Sequence, residues 1–172
     1  MLSGIRAAIL ASLFLGAVMA LGDYVWAAMH IQHRVVYGLI HGAVMCLCLG
    51  AAIGVHVRRP LPAIAAGPVI GVLAAGVFYL LATPMRMAAM FPAWMVFWIL
   101  FALLQRVLRP GEGTAAAAVR GAIAAVLSGL AFYAISGIWT GSGAHGAPNI
   151  PLHFAAWTFA FLPGFLVLFW RR

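Results

Sequence analysis

Along this chain, apolar residues run on for about twenty positions at a time, and polar residues collect between the runs. The runs cover Ile5 to Ala28, Val35 to Val57, Pro62 to Thr83, Phe91 to Leu108, Ala115 to Ile138 and Pro151 to Trp170. Each is long enough to cross a hydrocarbon layer about 30 Å thick. In that medium the backbone must satisfy its own hydrogen bonds, so the runs are predicted to be helices. The period-2 alternation of a membrane barrel is absent. The predicted fold is all-α: one membrane-embedded bundle over residues 1–172, with six helices arranged as three hairpins.

Punctuation between the runs agrees with that division. The second run ends at Arg58-Arg59-Pro60, and the third closes at Pro84. The fourth opens with Pro92 in its first turn, where the missing N–H costs little. It ends at Arg109-Pro110, before Gly111-Glu112-Gly113. A glycine-rich stretch, Gly141 to Pro148, precedes the sixth run, where Pro163 removes a helix hydrogen bond and predicts a kink. The first run begins like a signal peptide, with Arg6, an apolar core and the small-residue site Val18-Met19-Ala20. It then continues through Leu21 and Val25 to Trp26, which predicts a retained helix. A weak echo, Gly76-Val77-Phe78-Tyr79 against Leu130-Ala131-Phe132-Tyr133, leaves an internal repeat open.

Composition removes the soluble classes. Hydrophobic residues make up 66% and charged residues 7%, with a mean hydropathy of +1.11, against about 25% charged in ordinary domains. The net charge of +8 does not point to nucleic acid, because the arginines sit at the ends of apolar runs and form no stripe. Their placement instead predicts orientation. Arg6, Arg58, Arg59, Arg106, Arg109, Arg120, Arg171 and Arg172 fall on one side; Arg34 and Arg86 fall on the other. Cationic residues stay cytoplasmic, so both termini are expected inside, in a bacterial inner membrane. The lipid bilayer is then the first partner.

Small residues recur every fourth position: Gly38, Gly42, Cys46, Gly50 and Gly54 in the second run; Gly67, Gly71 and Ala75 in the third; Gly121, Ala125 and Gly129 in the fifth. Such stripes allow close helix approach, within one bundle or against another subunit of a homo- or hetero-oligomer. Cys46 and Cys48 project to nearly opposite sides of a helix and serve packing. Trp26, Trp94, Trp139 and Trp157, near the non-cytoplasmic ends, read as interfacial anchors.

The chemistry concentrates in one place. Asp23 is one of only two acidic residues, and it lies within an apolar helix, where a charge costs about 2.5–3.5 kcal/mol at the centre. It must face a partner or a wet cavity, with Arg34 or Arg86 as the arginine to supply the countercharge. His30, His33, His41, His145 and His153 fall on the same side, and His33, Tyr37 and His41 share one helix face. Asp23, Arg34, Tyr37, His41 and His153 are therefore the expected ligand- or proton-binding set, with His30, His33, Arg86 and His145 as secondary candidates. The expectation is a pocket that binds or moves a small solute or ion, with Asp23 and a histidine proton-linked. Two alternatives stay open. One is a redox protein holding haem or a divalent metal through His41 and His153; the other is a structural subunit of a membrane complex. Nucleophilic catalysis has no support, since no serine lies in a GxSxG elbow.

Overall fold

The structure, a computed structural model, describes residues 2–29, 33–140 and 150–170. Among the described residues all regular structure is helical, and six helices are long and apolar enough to cross a membrane. They are α1 (Leu2–Met29), α2 (Arg34–His56), α3 (Pro60–Met85), α4 (Met90–Leu108), α5 (Thr114–Thr140) and α6 (Ile150–Phe169), with a 3₁₀ turn at Arg86–Ala89 between α3 and α4. The helix α3 runs past Pro84, which a helix tolerates at the cost of one hydrogen bond, and stops at Arg86, whose φ of +51° breaks the helical path. Likewise Pro163 lies inside α6 and does not end it.

The helices pack up and down in a ring: α2 on α3, α3 on α4, α4 on α5, α5 on α6 and α6 on α1. The seam between α1 and α2 is the loosest of the ring. One end of the bundle carries the α2–α3 and α4–α5 connections with Leu2 and Phe169. The other carries the remaining connections and Asp23.

Three kinds of contact hold the ring. Glycine stripes join α2 to α3 backbone to backbone. A Cβ on Gly42 would come within 2.9 Å of the Gly71 carbonyl oxygen, and one on Gly71 would collide with the Gly42 carbonyl oxygen. In the same way, Gly121 seats α5 on α4 at Trp98 and Ile99. Close approach of this kind replaces the hydrophobic drive that lipid does not supply.

An aromatic ladder forms the second contact. The buried face of α4 (Trp94, Phe97, Trp98, Phe101) meets that of α6 (Trp157, Phe161, Phe165). Trp94 stacks on Phe161 at 5.7 Å between ring centres, and Trp98 meets Phe165 edge-on at 5.6 Å. Trp94 and Trp157 are only 3% and 8% exposed, so the belt assignment fails for both. They lie at the ends of apolar runs, as anchors do, but point into the bundle. The side chain of Trp139 lies outside the described set.

The third contact is polar, at the end opposite Asp23. Arg120 on α5 makes a fork-to-fork pair with Glu112, at 2.7 and 3.1 Å. Its other amino group donates to Gln105 Oε1 on α4 at 2.6 Å and to the Leu168 carbonyl on α6 at 3.1 Å. Gln105 Nε2 donates to that same carbonyl, at 3.1 Å. One guanidinium thus ties three helices and satisfies a carbonyl in the last turn of α6.

Two expectations follow for folding. Gly71→Val forces α2 and α3 apart and should cost about 1–3 kcal/mol, the usual range for overpacking, read as a lower unfolding midpoint in detergent. Arg120→Ala leaves Gln105 and a partly buried Glu112 carboxylate short of their partner. It should cost about 1–3 kcal/mol, whereas Arg109→Ala, at an exposed position, should fall within about 0.5 kcal/mol of the parent.

Candidate functional site

Asp23 lies six residues before the end of α1, about 9 Å along the helix at 1.5 Å per residue. One of its carboxylate oxygens, Oδ2, accepts hydrogen bonds from Trp157 Nε1 at 2.8 Å and from His153 Nδ1 at 2.9 Å. Both donors come from α6, one turn apart on the same face. With the carboxylate ionised, His153 carries its hydrogen on Nδ1, and the contact is an ion pair once the ring is protonated. The other oxygen, Oδ1, has no hydrogen-bond partner among the described residues.

Asp23 also lines a cavity of about 380 Å³ on the axis of the bundle. All six helices contribute to its wall. Where the aromatic ladder ends, Trp94, Phe97, Phe132 and Trp157 form one side; Gly38, Gly42, Gly71, Ala74 and Ala75 of α2 and α3 form the other. The cavity exists because the second side is small: glycines that bring α2 against α3 leave no side chain to fill the axis.

The rim is built from two tyrosines. Tyr37 Oη donates to the Gly22 carbonyl of α1 at 2.6 Å, and its ring meets Trp26 edge-on at 4.2 Å. This is the contact that bridges the loose α1–α2 seam. Gly22 is required there, since a Cβ would come within 2.9 Å of the His41 ring. Tyr79 Oη donates to the Arg34 carbonyl at 2.7 Å, packing over Gly38, where any Cβ would collide with the hydroxyl. His41 lies below Tyr37, ring centres 5.5 Å apart, and lines the cavity.

The sequence-derived set divides. Asp23, Tyr37 and His41 line the cavity, and His153 holds Asp23 from α6 without lining it. Arg34 contributes its backbone carbonyl, while its side chain is exposed; Arg86 and His33 are exposed as well. Neither arginine makes an ion pair among the described residues, so the partner of Asp23 is His153 with Trp157. His30 and His145 lie outside the described residues. Among the described residues, no three His, Cys, Asp or Glu side chains gather in the manner of a metal site.

Two participants escaped the sequence reading. Trp157 is one helical turn from His153, a spacing that could have paired them. Tyr79, 45 positions from its partner Arg34, carried no such signal.

Against family models, curated proteins and solved structures alike, the chain finds no match.

Proposed function

We propose that this is an integral membrane protein with both termini cytoplasmic, whose cavity opens toward the opposite side and binds or moves a small solute. Asp23 and His153 are its proton-linked pair. The observation that carries the reading is a carboxylate within a membrane-length helix, on the wall of a 380 Å³ cavity and bonded through one oxygen among the described residues. A purely structural ion pair needs neither the cavity nor the bare oxygen. Pockets of about 300–1,000 Å³ are the usual size for small ligands. His153, 2.9 Å from the carboxylate, would take or release a proton as a ligand reaches Oδ1. The arginine distribution, eight against two, supports the orientation.

Orientation is tested by labelling. A cysteine at Arg86 should react with a membrane-impermeant maleimide in intact cells, and one at Arg109 only after permeabilisation; the reverse pattern inverts the topology. The native Cys46 is buried and Cys48 half-buried, so the parent protein sets a low background.

The proton link is tested by Asp23→Asn, which keeps the shape and an acceptor for Trp157. It should cost about 1 kcal/mol of stability, the difference between a charged and a neutral hydrogen bond. It should also abolish proton movement driven by added solutes in proteoliposomes loaded with a pH-sensitive dye. Failure of the variant to assemble would make Asp23 a structural ion pair and end this reading, as would proton movement that survives the substitution.

A further inference from the structure

Resting on that reading, the cavity wall also constrains the chemistry of the solute. We infer that it is an organic cation: an ammonium group carried on a flat apolar body. Among the described residues, Asp23 is the only acidic one on the wall, and no arginine lines it. Arg34 and Arg86, the arginines expected to face Asp23, are exposed and make no ion pair with it.

The hydroxyl groups sharpen the argument. A tyrosine has one hydrogen to give. Tyr37 gives its hydrogen to the Gly22 carbonyl, and Tyr79 gives its own to the Arg34 carbonyl. Both oxygens are left with lone pairs only. Trp157 likewise gives its N–H to Asp23 Oδ2, and Asp23 Oδ1 has no partner among the described residues. At the Asp23 end of the cavity the available groups are therefore mostly acceptors, one of them charged. A donor with a positive charge satisfies them; a carboxylate or phosphate meets Asp23 as a like charge. Among the described residues, His41 is the one lining side chain able to carry a positive charge, and it interacts with the same carboxylate.

The rest of the wall selects the body of the ligand. Eight of the nineteen lining residues are aromatic. Ring faces attract cations and stack on flat rings, and both effects strengthen away from water. Inorganic cations would leave this surface unused, so a cation with an aryl or similarly flat substituent fits best.

Three probes with the same carbon skeleton separate the possibilities: 2-phenylethylammonium, 2-phenylethanol and phenylacetate. Each is titrated calorimetrically into the full-length protein in nanodiscs, with Met90→Trp as a variant that fills part of the cavity. The ammonium is expected to bind at least tenfold more tightly than the alcohol, with no saturable binding of phenylacetate. Asp23→Asn should bring ammonium and alcohol within threefold of each other. If that variant fails to fold, Asp23 is a structural ion pair and the proton-linked reading falls with it, while the wild-type series still decides whether the cavity prefers a cation. Alcohol or phenylacetate binding as tightly as the ammonium, and blocked by Met90→Trp, overturns the cation and leaves the cavity as a solute site. Isotherms that Met90→Trp does not change, or no saturable heat with any probe, overturn both readings.

Discussion

A carboxylate in a low-dielectric interior must be paid for locally, and the geometry around Asp23 follows from that requirement. Two donors from one face of α6 reach the same oxygen, at 2.8 and 2.9 Å. Charge-assisted bonds contribute about 1.5–3 kcal/mol each, enough to offset a burial cost of about 2.5–3.5 kcal/mol. The bonds also do topological work. They join the first helix of the chain to the last, over a sequence separation of 130 residues or more, and help close the ring on that side. Glu112, the other acidic residue, is treated alike at the opposite end, where Arg120 clamps it between α4, α5 and α6. Each carboxylate is thus used where the chain needs distant helices held together.

The two sites differ in what they leave over. Both oxygens of Glu112 are engaged by one guanidinium. Asp23, on the cavity wall, has no partner at Oδ1 among the described residues. Neutral groups in the core are handled less strictly: Trp98 Nε1, Ser128 Oγ and Thr158 Oγ1 are buried without partners among the described residues. An N–H or hydroxyl left in that state costs about 1–3 kcal/mol, which a packed aromatic core absorbs. An ionised oxygen without a partner costs more than a neutral one.

Much of the fold was legible because hydrocarbon dictates helix length and because apolar runs of that length are hard to misread. Boundaries failed where proline was taken as a stop. At Pro84 the helix continues one residue further, to Met85, since a single missing hydrogen bond does not end it. Trp94 and Trp157 were misassigned for a different reason: a tryptophan near the end of an apolar run looks the same whether it faces lipid or the core. Asp23 was recognisable as the centre of the polar chemistry, yet its partner was sought in Arg34, eleven positions away. Sequence distance is a poor guide once α1 packs on α6 and stands loosely against α2. The residues His33, Tyr37 and His41 do share a face, but only Tyr37 and His41 lie deep enough to reach the cavity.

The cavity's own energetics bear on what occupies it. The cavity, of about 380 Å³, is only partly enclosed, so what fills it is set by what its wall can satisfy. Water alone is a poor filler, because an ordered water needs two to four polar partners and most of this wall is aromatic or aliphatic. Water suits the end near Asp23, Tyr37 and Tyr79; the end beneath Trp94 and Phe97 suits a ring. A molecule with one polar head and one flat apolar body meets both demands at once, and the same small residues that draw α2 onto α3 leave the room for it.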